Sequence, residues 1–124
     1  MNFLRTRLSS FRHAFAGWWH VLRTQQNAWI HAVISTAVVV VGVWAQLDRR
    51  DWALLILTGT VVWMAEFINT ALEAVVDLAS PQLHPLAKVG KDVGAAAVLI
   101  AALAAVLIGL LILGPPLWAK LFGY

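Results

Sequence analysis

Glu66 and Glu73 stand inside an apolar stretch of membrane length, in the run Glu66-Phe-Ile-Asn69-Thr-Ala-Leu-Glu73-Ala-Val-Val-Asp77. A carboxylate in hydrocarbon costs roughly 3 kcal/mol even on the most lenient scales. A chain that carries such groups must turn them toward protein, water, a metal or a substrate. The fold is thereby limited to one that shelters an acidic stripe at a membrane. Composition agrees: 61% of the residues are hydrophobic and 12% charged, against about 45–50% and 25% in soluble domains. The absence of cysteine excludes disulfide frameworks, thiolate metal sites and cysteine nucleophiles.

The apolar runs predict an all-α membrane protein, a single domain over 1–124 with three transmembrane helices at 29–47, 52–76 and 93–113. The first span has His31 near its start, where a snorkelling or capping role is expected. Asp48-Arg-Arg-Asp51 reads as a tight charged turn. The second span holds Glu66, Asn69 and Glu73. Residues 77–92 read as a polar link broken by Pro81 and Pro85, and Gly114-Pro-Pro116 as the end of the third span. Trp29, Trp44, Trp52 and Trp118 lie near span ends, where aromatic anchors belong. The first span begins too late for a signal peptide, and none is expected.

Residues 1–28 predict an amphipathic surface helix. Leu4, Leu8, Phe11, Phe15, Trp18 and Leu22 recur at spacings of three and four, with arginines and histidines on the other faces. The other reading, a soluble helix on a protein core, has little soluble mass to pack on. Arg5, Arg7, Arg12 and Arg23 precede the first span with no acid among them. They outnumber Arg49 and Arg50 of the first connection, so the N-terminus is expected in the cytoplasm, together with Lys88 and Lys91. The basic arm suits anionic lipid headgroups and is too thin for nucleic acid.

On a helix turning about 100° per residue, Glu66, Asn69, Glu73 and Asp77 fall within an arc of roughly 80° over about 16 Å. An acid-plus-amide ladder running toward Lys91-Asp92 suits a metal–nucleotide complex: carboxylates hold a hard cation such as Mg²⁺, and a lysine neutralises phosphate. Such a stripe can also be interhelical glue, although Ser, Thr or Asn would serve that purpose at lower cost. His84 can be a solvated link residue and Lys88 a topology charge. Neither a Walker-type nor a dinucleotide-type glycine motif is present.

Glu66 to Asp77, followed by His84-Pro-Leu-Ala-Lys-Val-Gly-Lys91-Asp92-Val-Gly-Ala-Ala-Ala-Val98, closely resembles the prokaryotic diacylglycerol kinase family, which includes undecaprenol kinases. The likeness extends more loosely through Gly17, Arg23, Asn27 and His31. It implies a homotrimer in the bacterial inner membrane, three spans and a surface helix per subunit, and transfer of the ATP γ-phosphate to a lipid hydroxyl at the cytoplasmic face. Glu66 matches the family's catalytic base and, with Ala95, its lipid-substrate positions. Glu73 matches a metal-ligand glutamate. Asn69, Asp77, Lys91 and Asp92 match polar residues around the nucleotide. Gln82, Leu83 and His84 match the segment running past it, and His13 and Gly17 match surface-helix positions near it.

One position departs from the pattern. Many members carry a second metal-binding glutamate before the first span, and here that position is Gln25. An amide oxygen still coordinates but brings no charge. Stretches such as Ile-Asn-Thr-Ala and His-Pro-Leu-Ala-Lys are closer to the undecaprenol branch and favour undecaprenol over diacylglycerol as acceptor. Three spans and one surface helix are expected to need neighbouring chains to complete the site and keep Glu66 and Glu73 off lipid. The rival readings are a small oligomeric channel or proton-coupled transporter using the intramembrane carboxylates, and a purely structural membrane protein.

Overall fold

Four helices account for nearly all of residues 2–123, the part of the chain described by the computed structural model: α1 (Asn2–Thr24), α2 (Gln26–Ala45), α3 (Arg49–Ala79) and α4 (Pro85–Phe122). No strand occurs among the described residues. The helices α2, α3 and α4, of 20, 31 and 38 residues, are each long and apolar enough to cross a membrane. Apolar runs produce this outcome because a bilayer leaves backbone polar groups no partner but their own helix.

The helix ends differ from the sequence expectation in four places. Asp48 is not part of a free turn but the N-cap of α3, and its carboxylate accepts from the backbone N–H groups of Arg50 and Asp51 at 2.9 Å each. A cap of this kind stabilises a helix by about 1 kcal/mol. The expected surface helix over 1–28 ends at Thr24, and Gln25 alone, with φ −105° and ψ 114°, separates α1 from α2.

The polar link shrinks to residues 80–84, and Pro85 opens α4 instead of ending a helix. Proline suits the first helical position, where its missing N–H would have no partner in any case. His84 caps the same end, with Nδ1 accepting from Leu86 N–H at 3.1 Å. Finally, α4 does not stop at Gly114 but continues through Pro115 and Pro116 to Phe122. A proline pair after glycine can begin a fresh helical turn, and contacts hold that turn in place. Trp118 and Phe122 stack at 4.4 Å, and the Lys120 ammonium lies 5.2 Å from the Trp44 ring of α2.

The most extensive packing is between α3 and α4, and α2 leans on both. Gly42 allows the α2–α3 corner to close, since a Cβ there would stand 2.8 Å from the Trp52 ring. On α1, Val21 is buried near the junction with α2, and Trp18 meets Trp63 and Phe67 of α3 at 5.1 and 4.8 Å. The rest of its apolar face, including Leu4, Leu8, Phe11 and Phe15, is exposed. Buried apolar side chains are few and small or medium in size (Val21, Ala28, Ala45, Leu55, Val62 and Val98), while most large ones point outward. A bundle surrounded by hydrocarbon has this inside-out distribution, because lipid tails are as apolar as leucine.

Candidate active site

The acidic stripe of α3 divides between two neighbouring helices. Glu66 is completely buried and faces α2, where His31 Nε2 lies 3.4 Å from its Oε2. Neither carboxylate oxygen has a hydrogen-bond partner, and His31 Nε2 has none either. Thr70, one turn on and also buried, donates its hydroxyl to the Glu66 backbone carbonyl at 2.9 Å. That bond goes to the backbone and leaves the carboxylate without a partner. Burial of Glu66 is achieved within one chain, which corrects the expectation that neighbouring chains must keep it off lipid.

Asn69 is buried against α4. Its Nδ2 donates to Glu73 Oε1 at 3.2 Å, as residues one turn apart on a helix face can. Its Oδ1 is aimed at Gly94 and has no hydrogen-bond partner. Any side chain at 94 would collide with that oxygen, so glycine is what lets the amide lie against the α4 backbone. Glu73 is half-buried and Asp77 exposed. Asp77 pairs with Lys91 of α4 at 2.5 Å, and Lys88 pairs with Asp92 one turn along the same helix. Lys91 lies on the polar start of α4, ahead of the apolar run. Its hydrogen bond to Asp77 holds the ammonium above the usual lysine range. The fields of Asp77 and Glu73 add to this, while desolvation opposes it.

The remaining expected residues are placed as follows. His13 and Gly17 are exposed on α1, and Ala95 is exposed on α4. Gln82 and Leu83 lie exposed on the link, where the Gln82 carbonyl accepts from Ser80 Oγ at 2.9 Å. Gln25 is half-buried at the α1–α2 break, and among the described residues no hydrogen bond joins its side chain to Glu73. The structure thus brings Glu66, Asn69, Glu73, Asp77 and Lys91 into one column between α3 and its neighbours, and leaves Gln25, His13 and Gly17 outside it.

A residue the sequence reading set aside enters the column. His31 is turned inward, with a side chain only 12% exposed, and neither snorkels nor caps. Its ring is edge-on to Trp63 at 6.0 Å, and Trp63 Nε1 donates to Ser35 Oγ at 3.1 Å. Beside His31 opens an apolar groove of about 930 Å³ walled by α2, α3 and α4, with Ile34, Val38, Phe67, Val106 and Leu110 on its sides.

Among the described residues no three of His, Asp and Glu converge into a ready-made metal cage. The half-exposed Glu73 carboxylate is nevertheless suited to Mg²⁺, which takes one or two carboxylates and completes its shell with water and phosphate oxygens. Chemically, α3 offers a buried carboxyl group and then an oxygen donor for a hard cation, and Lys91 of α4 brings an ammonium to Asp77 beyond them.

Residues 12–113 match the family model described as prokaryotic diacylglycerol kinase. The chain is 46% identical over 111 residues to a diacylglycerol kinase from Synechocystis sp., a match covering 89% of this chain but 63% of that longer protein. It is 39% identical over 116 residues to an undecaprenol kinase from Bacillus subtilis, covering 94% of each. It is 38% identical over 96 residues to a diacylglycerol kinase from Escherichia coli, covering 72% of this chain and 76% of the other. With a match to most of its length and to the long motif that builds the α3–α4 column, the chain belongs to the prokaryotic diacylglycerol kinase family.

Proposed function

We propose that this protein is an ATP- and Mg²⁺-dependent kinase of a membrane lipid, acting at the cytoplasmic face of a bacterial inner membrane, with undecaprenol the favoured acceptor. The observation that carries the reading is Glu66, a fully buried carboxylate with both oxygens unpartnered, whose neighbours His31 and Phe67 line a groove broad enough for hydrocarbon. A carboxylate left unsatisfied at such cost fits a group reserved for a substrate proton. Family membership points to the same chemistry.

In this reading Glu66 takes the proton of the lipid hydroxyl as its oxygen attacks the γ-phosphorus. The bond from that phosphorus to the β–γ bridging oxygen breaks, and ADP leaves. Glu73 would hold Mg²⁺ together with ATP, and the cation would offset charge on the phosphates. Asn69 orients the Glu73 carboxylate through its amide N–H. Lys91 exchanges its Asp77 partner for phosphate, or shares both, and so places a positive charge at the mouth of the site. His13, Gly17, Asp77, Gln82, Leu83, His84 and Asp92 border the nucleotide, and Ala95 the lipid.

The exposed apolar face of α1 rests on the membrane surface with its arginines at the headgroups, which sets the N-terminus in the cytoplasm. Three copies assemble, and Gln25 of one copy meets Glu73 of the same or an adjacent copy at the metal.

The deciding experiment supplies purified protein in detergent with labelled ATP, Mg²⁺ and either undecaprenol or diacylglycerol. A phosphorylated lipid is expected, with undecaprenol the faster acceptor. Folded protein yielding no product from either lipid would transfer the carboxylates to the proton-coupled transporter reading.

Gln25 adds a second expected result. Gln25→Glu supplies the missing charge and should lower the Mg²⁺ concentration for half-maximal rate by about 3- to 10-fold, as expected of one added surface-accessible ionic ligand. An unchanged Mg²⁺ titration curve would remove Gln25 from the metal.

A further inference from the structure

We propose that His31 is a positioning residue for Glu66, holding one arm of its carboxylate so that the other is left for the acceptor hydroxyl. The inference rests on the reading of Glu66 as the base.

Glu66 has no exposed surface, so water cannot orient its carboxylate. Within its own helix the neighbouring polar group, Thr70, spends its hydroxyl on the Glu66 backbone carbonyl. The titratable side chain aimed at the carboxylate is His31 of α2, with Nε2 at 3.4 Å from Oε2. The separation is slightly long for a hydrogen bond, and a small ring rotation closes it. With its hydrogen on Nε2, the imidazole donates to Oε2 and leaves Oε1 open.

The ring is itself held. Trp63 lies edge-on to it at 6.0 Å, and Trp63 is fixed by its own bond to Ser35, one helical turn beyond His31 on α2. Trp18 of α1 closes over Trp63 at 5.1 Å. Three helices thus converge to fix one imidazole, an arrangement with no purpose for a residue that merely fills space. A free carboxylate would rotate about its last bond, and each rotamer would present a different oxygen to the substrate. A single donor on Oε2 removes that freedom before the substrate arrives.

The test compares His31→Phe, His31→Gln and His31→Ala in lipid phosphorylation, alongside Glu66→Gln and wild type. Phe fills the ring's volume against Trp63 but has no donor. Gln places an amide N–H about where Nε2 stands. For Phe and Ala, kcat should fall about 10- to 100-fold, the loss that accompanies removal of a hydrogen bond to a charged group, with KM for ATP unchanged. Gln should recover most of the rate. If Ala fails to fold, the Phe and Gln pair still decides, since both fill the site.

Phe as active as wild type, or Gln as impaired as Phe, overturns the proposal. Those outcomes with Glu66→Gln inactive leave the base reading standing. A fully active Glu66→Gln, by contrast, overturns the base reading itself.

Discussion

Glu66→Gln lowers kcat for lipid phosphorylation by about 10²- to 10⁴-fold, the range ascribed to a positioned general base, while the folded protein becomes no less stable. Both halves follow from one observation. The side chain is fully buried with two unpartnered oxygens, so the carboxyl group is held at a cost to the fold. The amide has the same shape and volume, keeps a hydrogen-bonding group toward His31, and carries no charge. It cannot accept the hydroxyl proton. A thermal melt in detergent should therefore show an equal or higher midpoint beside the collapse in rate. Activity near wild type would remove Glu66 as the base, and a lowered midpoint would show that its charge supports the fold.

Glu73→Ala should reduce kcat/KM for Mg·ATP by about 10²- to 10³-fold, corresponding to the several kcal/mol supplied by charge neutralisation at transferring phosphates. The failure should differ in kind from that of Glu66→Gln. Glu73 is half-exposed and lies two turns along α3 from Glu66, so its loss leaves the Glu66 carboxylate in place. Raising Mg²⁺ should restore part of the rate in Glu73→Ala and none in Glu66→Gln. The same substitution leaves Asn69 Nδ2 without its acceptor. A Mg²⁺ titration separates the two, and an unchanged Mg²⁺ dependence in Glu73→Ala would place the cation elsewhere.

What the amino-acid sequence makes legible lies within single helices. Three apolar runs were enough for three spans, because length and hydropathy are properties of one segment. The stripe from Glu66 to Asp77 was likewise readable, since a rotation of about 100° per residue is local arithmetic. The partners across the helices were not. His31 looked like an end-of-span residue because nothing in α2 alone gives its level relative to α3. The register of two helices does, and it places His31 opposite Glu66.

Gly94 shows the same limit from the other side. Its neighbours in sequence give no reason for glycine there, and its role emerges only where Asn69 of another helix comes to rest on it. The expected stop at Gly114-Pro-Pro116 failed for a related reason. Helix α4 runs on through the pair, and beyond it Lys120 reaches across to the Trp44 ring of α2, a contact that no single segment reveals.

The shortness of the α3–α4 link has a consequence for how the chain enters the bilayer at all. Of the three spans, α3 is the least apolar and α4 the most. On a lenient scale the two carboxylates burden α3 by about 5–7 kcal/mol if it partitions alone. During synthesis α3 emerges first, and with only residues 80–84 between them α4 follows at once. The two helices can therefore leave the translocation channel as one hairpin, in which the greasier member escorts the acidic one and covers Asn69 as it goes. Lengthening the link would delay that escort and leave α3 to enter the bilayer alone.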